Sequence, residues 1–493
     1  MRVYSVTPVN VPRDFGIEEI FFSTTDPKGI IRSGNAVFVR VSGHPLEELI
    51  GQPHNIIRHP DMPRAVFRLL WDCLQQGRPI AALVKNMARD GCYYWVIALI
   101  TPVAGGYLSV RFKPSSEISG KLMDLYARMR AVEREHGDGG TEGRAGMDAA
   151  ASLLDRELRQ LGFADYDSFM WKFLHAEMKS RDGLTRGAPS SRPGPPPAGG
   201  GKPVETLYAI YQGAADSYAQ INALYLQLDE LTTLNDRLTQ KSAAVNGLTL
   251  GMRFVALTTT IKAAKLGEEG RGLEVIAQYL SDASASTAVQ VGSLTGRVRE
   301  IAEELRKVIF NLSAARLQLE MMQFFGRELL AVEAGAAGGR AAAGASRQAM
   351  IRDLQQAFQT TMVQAVEILG ACGRHLAGLN TVAEELRRTI LTLHIAQMGG
   401  KVEASRIHGD DSIGTVLGEI HAAIGKTSGE LDEIEDITVR FTRLIRAAPP
   451  IAQAITGSLA RIEEKVRQLD VQEDSPAPAP VAAAGAPGLV AVA

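Results

Sequence analysis

The feature that most constrains this chain is an apolar stepping by threes and fours from residue 204 to about 470. Ile221, Leu224, Leu228, Leu231 and Leu238 follow it, as do Leu250, Phe254, Leu257, Ile261 and Ala264. After a break at LGEEGRG, the stepping resumes with Val291, Leu294, Val298, Ile301, Leu305, Val308 and Leu312. A period near 3.5 lines these side chains along one seam of a helix, and a facing helix must cover that seam. Asn235 takes a seam position, where it either fixes register or is a buried amide met by water.

The arms are of equal length. About sixty residues run from 204 to the turn near Glu268, and about sixty more to the break EAGAAGGRAAAGAS at 333–346. Arg347 to Gly409 and Gly409 to Asp470 repeat the count. A helix of that length spans ~90 Å. The turn sequences IKAAKLGEEGRGLEVIA and KVEASRIHGDDSIGTVLGEI share a charged, small, small, basic run, then Gly and acids, then an apolar restart. Two tandem hairpins are expected, 204–332 with its tip near 267–270 and 347–470 with its tip near 408–412. Side by side they make a four-helix bundle within one chain. Pro449-Pro450 is expected to kink or interrupt the last arm.

The first part of the chain reads differently. IEEIFFSTTDPKGIIRSG is strand, turn, strand; NAVFVRVSG and SGHPLEELIG are short helices, with Ser42 a cap before the second. DMPRAVFRLLWDCLQQG is a longer helix that starts near Asp61 and is stopped by Gly77. IAALVKNMARDGCYYWVIALITPV is a hairpin turning at Asp90-Gly91, and GGYLSVRFKP is a last strand. The fold class expected is multidomain: an α+β domain on a five-stranded antiparallel sheet, then all-α hairpins. Residues 120–183 are a helical connector whose stripe Phe163, Tyr166, Phe169, Met170 and Phe173 reads as core, broken by HGDGGTEGRAG at 136–146. Residues 184–203 are a Pro/Gly-rich linker and 471–493 a disordered tail.

Composition narrows the function classes. The formal net charge is -2, which favours neither nucleic acid nor an anionic membrane. Three scattered cysteines, Cys73, Cys92 and Cys372, form no disulfide framework and suit a reducing compartment. No apolar run reaches the ~18 residues of a membrane span, and MRVYSVTPVNVPRDFG lacks the pattern of a secretory signal. A cytoplasmic protein is expected.

The most distinctive local run is PHNIIRHPDMP at 53–63. Pro60 and Pro63 hold their predecessors extended, so Arg58, His59 and Asp61 sit on a stiff loop. Such a loop presents fixed charges to a polar ligand, or is a helix entry with surface charges. Phe67 and Trp71 lie one helical turn apart and either stack on a ligand or pack as core.

These residues carry a resemblance. FFSTTDPKGIIRSGNAVFVRVSGHPLEELIGQPHNIIRHPDMP, FRLLWDCLQQGRP and VKNMARDGCYYWVIALITPV resemble the flavin-binding PAS domain of bacterial aerotaxis receptors. The resemblance implies a PAS sensor domain over 1–119, noncovalent FAD, and a redox-reporting role. It implies Arg58, His59 and Asp61 as FAD-pocket residues, with Asn35, Phe67, Trp71 and Asn86 at other pocket positions. The family usually has Trp where this chain has Ile80, which removes one aromatic wall. His54 and His59 make haem a rival ligand. No second substrate domain is found and no nucleotide fingerprint opens a helix after a strand, so a flavoenzyme is not expected.

FVALTTTIKAAKLGEEGRGLEVIA resembles the cytoplasmic signalling hairpin of methyl-accepting chemotaxis proteins. That family's tip binds a coupling protein and a histidine kinase and packs with other chemoreceptors. The resemblance implies that Leu250, Phe254, Leu257, Lys265, Glu268, Arg271 and Val275 form this surface. The chain departs from the family in LTLGMRF before the tip, in Lys262, and in a second tip with VEASR but no Gly-Arg-Gly. Glu384-Glu385 and Glu303-Glu304 are poor approximations to adaptation sites. The implied function is a soluble energy-taxis transducer whose tandem hairpins form an intramolecular pseudo-dimer and signal to the chemotaxis kinase. The alternative is a non-enzymatic PAS scaffold whose hairpins assemble a different complex.

Overall fold

The computed structural model describes residues 6–137, 140–185, 201–333, 347–406 and 411–473. Its first part is a five-stranded antiparallel sheet in the order β2-β1-β5-β4-β3. The strands are β1 (Ile20–Thr25), β2 (Ile31–Gly34), β3 (Ile80–Met87), β4 (Tyr93–Val103) and β5 (Gly106–Phe112). Between β2 and β3 lie α1 (Ala36–Ser42), α2 (Leu46–Leu49), a 3-10 turn at His54–Ile57 and α3 (Arg64–Gln75). Both faces of the sheet are buried, which is why IAALV and VIALI run apolar without strict alternation. Asp26 Oδ1 accepts from Lys28 N and Ile30 N to close the β1–β2 turn, and Gly29 at φ 78° supplies its left-handed residue.

Two local expectations are corrected. Ser42 is the last residue of α1, donating from Oγ to Val39 O, and Pro45 precedes α2. The long helix starts at Arg64, not near Asp61, because Pro63 fits the entry to a helix while Pro60 keeps His59 extended.

Three connector helices follow: α4 (Glu117–Glu135), α5 (Gly140–Gln160) and α6 (Tyr166–Thr185). Residues 138 and 139 lie outside the described residues, and 140–146 are helical rather than a break. Of the expected Pro/Gly-rich linker, 184–185 end α6, 186–200 lie outside the described residues, and 201–203 open a helix. The Ala/Gly break lies outside them from 334 on, the second tip from 407 to 410, and the tail from 474.

The rest is helical. The first arm is α7 (Gly201–Leu226) and α8 (Leu228–Lys265), parted at Gln227 and followed by a 3-10 turn at Gly267–Gly270. Then come α9 (Arg271–Glu333), α10 (Arg347–Ala404) and α11 (Asp411–Glu473). α8 packs on α9 and α11, and α10 packs on the same two, so four antiparallel arms enclose one core. Lys241 bridges to Glu430 and Glu433 at 3.0 Å across the two hairpins.

The seam agrees with the reading from Val291 to Leu312, where every named residue is buried. It fails nearer the tip. Phe254, Leu257, Ile261 and Ala264 are exposed, and the buried positions are Ala256, Thr259 and Ala263. Two stripes of the same period run along α8, and close helix approach selects the one made of small residues. Asn235 is half-buried with Leu234 taking the core position, and its Oδ1 has no hydrogen-bond partner. Pro449 and Pro450 do not interrupt α11. Both are exposed, so water reaches the carbonyls they leave unpaired, while Ile445, Ala448, Ala452 and Ile455 keep the inner face packed.

Candidate functional site

The Pro-flanked run spans the sheet from edge to edge. The two residues leading into it pair with β2 through Ile31 N to Gln52 O and Gly51 N to Ile31 O, both 2.9 Å. Its end pairs with β3 through an Arg58–Asn86 bridge and His59 N to Lys85 O. β2 and β3 are the two edge strands, so one segment satisfies both edges and roofs the sheet's inner face. Beneath it, closed by α3, is a cavity of about 280 Å³.

The cavity is lined from α3, four strands, the β1–β2 turn and the roof, with Thr25 from β1. α3 gives Phe67, Leu70, Trp71 and Leu74; β3 gives Val84 and Asn86; β4 gives Ala98 and Ile100. β5 gives Tyr107, Ser109 and Arg111, and the roof gives His54, Asn55 and Arg58. The lining is mostly apolar, with cationic Arg58, Arg111 and Lys28 and no carboxylate. Trp71 meets Tyr107 edge-on at 5.7 Å, and the Arg58 guanidinium lies 4.2 Å over the Phe67 ring. Arg58 also donates to Met62 O at 3.1 Å. Burial lowers Arg58 to about 10, with the Glu133 carboxylate opposing that shift.

Four of the seven pocket positions expected from the sequence line this cavity: Arg58, Phe67, Trp71 and Asn86. His59, Asp61 and Asn35 do not. His59 is buried behind the roof, where its Nδ1 accepts from Asp61 N at 3.1 Å and its ring meets Tyr93 edge-on. Burial and the Lys85 charge hold the His59 imidazole below its usual range. Asp61 points outward and pairs with Lys85 Nζ at 2.9 Å and Arg134 Nη2 at 3.0 Å. Burial alone raises Asp61, but the Lys85 and Arg134 contacts outweigh it and hold the carboxyl low. Asn35 caps α1, its Oδ1 accepting from Phe38 N and Phe22 N. Ile80 is buried in β3 opposite Ile100 and is not part of the lining.

The sequence reading missed the site's innermost polar group. Arg111 Nη2 lies 2.7 Å from His54 Nε2, and Arg111 Nη1 donates to Ser23 Oγ at 3.0 Å. Burial lowers Arg111 to about 10 and drives His54 well below its usual range. Arg111 sits in an ordinary strand alternation, and its signal was an Arg among inward-facing positions of a strand buried on both faces. Among the described residues Ser109 Oγ is buried without a hydrogen-bond partner, and Asn86 lies beside the buried Tyr94 hydroxyl. A planar heteroaromatic ligand carrying carbonyls and negative charge fits these donors and aromatic walls.

At the other end of the molecule, Gly267 turns the first tip at φ 58°. Around it, Lys265, Glu268, Arg271, Val275, Phe254 and Leu257 are exposed, with Arg271 paired to Glu268 at 2.7 Å. The side chain of Leu250 lies outside the described residues.

Comparison with known proteins matches residues 32–107 to the PAS fold. The chain is 40% identical over 131 residues to the aerotaxis receptor of Escherichia coli, covering 26% of each chain. It is 25% identical over 209 residues to the methyl-accepting chemotaxis protein McpA of Pseudomonas putida, 41% of this chain and 30% of that protein. It is 22% identical over 391 residues to the biofilm dispersion protein BdlA of Pseudomonas aeruginosa, 63% of this chain and 91% of that one. The chain thus spans about a quarter of the length of the aerotaxis receptor it matches. The sheet-bearing first part is a PAS domain, and the helices that follow form a region similar to those of chemoreceptors.

Proposed function

We propose that this protein is an energy-taxis transducer that senses redox state through FAD in the PAS cavity and signals through the helical bundle to a chemotaxis histidine kinase and its coupling protein. The observation that carries the reading is the cavity itself. Two aromatic walls, two guanidinium groups and neutral polar side chains converge in the PAS domain of a chain similar to an aerotaxis receptor. FAD supplies a ring whose charge changes on reduction. Arg58, Arg111, Phe67, Trp71 and Asn86 would hold it, and His59 and Asp61 would act behind the roof. Haem is the weaker candidate, because the His54 Nε2 and His59 Nδ1 acceptors are both engaged by protein donors.

The functional division is a sensor at 1–119, a connector at 120–183, a linker at 184–203 and two signalling hairpins. The route outward is short. Consecutive β1 residues face opposite ways: Ser23 bonds the Arg111–His54 pair, while Phe22 packs edge-on against Phe325 of α9 at 5.1 Å. The exposed tip residues Phe254, Leu257, Lys265, Glu268, Arg271 and Val275, with Leu250, are the docking surface for the kinase and coupling protein. The two hairpins stand in for the two chains of a chemoreceptor dimer.

Absorption spectra of the purified full chain test this. A yellow protein with flavin bands near 450 nm is expected, weakened in Arg58→Ala and Trp71→Ala. A colourless protein that takes up no added FAD overturns the reading and favours a PAS scaffold serving another complex.

A further inference from the structure

Two arginines line the cavity, and they differ in how their charge is met. Arg58 is stacked on Phe67 and bonded to Met62 O, and the nearby Glu133 carboxylate is paired with Arg130 at 3.4 Å. Arg111 is 3% exposed and donates to Ser23 Oγ at 3.0 Å, to Ser109 O at 3.4 Å and toward His54 Nε2 at 2.7 Å. All three acceptors are neutral, its guanidinium also lies 5.6 Å from the Phe38 ring centroid, and among the described residues no carboxylate pairs with it. A guanidinium only donates, so His54 Nε2 is the lone-pair nitrogen and the ring proton sits on Nδ1. Ser23 Oγ, 3.1 Å from the same nitrogen, donates its O–H to it while accepting from Arg111. Both partners orient the fork without neutralising it. An uncompensated buried cation costs stability of several kcal/mol, and here it borders an apolar cavity with room for a ligand.

Resting on the flavin reading above, we propose that Arg111, positioned by His54, is the counter-charge for the negatively charged reduced form of the bound ring. Two electrons and one proton taken up from a reductant leave the ring with one added negative charge. Arg111 meets that charge across a low-dielectric gap with charge-assisted hydrogen bonds, and needs no rearrangement to do so. Arg58, held against the Phe67 ring and by Met62 O, contributes binding to both forms alike.

The test is a dithionite titration of the full chain against a reference dye, with wild type, Arg111→Gln, Arg58→Gln and His54→Phe in parallel. Arg111→Gln is expected to lose about 100-fold of the preference for reduced over oxidised flavin, a midpoint lower by about 60 mV. Arg58→Gln is expected to change that preference less than about threefold. Without flavin, Arg111→Gln is expected to melt at or above wild type, because it removes an uncompensated buried charge. An unchanged midpoint in flavin-loaded Arg111→Gln, an equal shift in Arg58→Gln, or a lowered melting point of the flavin-free variant overturns the proposal and leaves the flavin reading intact. If Arg111→Gln holds no flavin, His54→Phe decides. A loss of about tenfold in the same preference supports the positioning role, and none overturns it. A wild-type protein without flavin uptake removes both readings at the first spectrum.

Discussion

Glu328 of α9 and Asn35 of the PAS domain share one helix cap. Glu328 Oε2 accepts from Asn35 Nδ2 at 3.0 Å, and Oε1 accepts from Ala36 N at 2.7 Å. Asn35 Oδ1 meanwhile accepts from Phe38 N inside the same cap. The first amides of any helix lack intrahelical partners and carry partial positive charge, so an anion from elsewhere can dock there. The device recurs. Buried Glu133 of α4 accepts from Arg64 N and Ala65 N of α3, whose N-cap Pro63 has no side chain to offer. Buried Glu177 of α6 accepts from Ser115 N and Ser116 N at the start of α4. Three glutamates thus tie the PAS domain, the connector and the bundle together through helix N-termini.

Removing one partner of the shared cap should show coupling. Asn35→Ala is expected to cost about 1 kcal/mol, and Glu328→Ala about 1–3 kcal/mol. The double variant should cost less than the sum, because each change already spoils the same cap. Chemical denaturation of all four proteins measures this; strict additivity would show that the contact carries no energy.

Asp353 of α10 gives a pH dependence. Burial raises its carboxyl to about 6, against the opposing charge of Arg32. The folded state therefore binds this proton more tightly than the unfolded chain does. The stabilisation is complete below the unfolded value near 3.8 and is lost as pH rises through about 6. Asp353→Asn should be more stable than wild type at pH 7.5 by about 1 kcal/mol after allowance for solvent screening. The two should converge near pH 4, and parallel stability curves from pH 4 to 8 would contradict this.

The cavity wall and the corner behind it should separate. Trp71→Ala removes lining and is expected to lower flavin content about tenfold or more. Asp61→Asn leaves the lining intact and weakens the ties to Lys85 and Arg134. It is expected to retain flavin and to increase amide exchange in α4. Equal flavin loss in both would place Asp61 in contact with the ligand.

Near the first tip, burial predicts opposite responses at neighbouring residues. Phe254 is 72% exposed, so Phe254→Ser should change stability by less than about 0.5 kcal/mol while abolishing capture by the coupling protein. Ala263 is 2% exposed, and Ala263→Leu should overpack the core at a cost of about 1–3 kcal/mol. Exposed Ala264→Leu is the silent control. Thermal melts of the three variants decide the register.

The sequence alone determined the element types and their order. Short β-type runs punctuated by Asp-Pro-Lys-Gly and Asp-Gly, then long runs of period 3.5, are local patterns that leave a strand or a helix little alternative. It also marked Arg58, Phe67 and Trp71, because loop stiffness and helical spacing are local properties too; Asn86 was marked only by the resemblance to a known family. Only the tertiary structure decided which side of each element faces what. Phe254, Leu257 and Ile261 step as regularly as Ala256, Thr259 and Ala263, and the spacing between neighbouring helices put the smaller set inside. Asn35, His59 and Asp61 are close in sequence or motif to the cavity, yet their side chains serve a cap and an outer ion-pair corner. Arg111 lies more than fifty residues from His54, and only the pairing of β1 with β5 under the roof brings their side chains to 2.7 Å. Side-chain direction at long range depends on which surfaces are already filled, and that is a property of the packed chain rather than of any stretch of it.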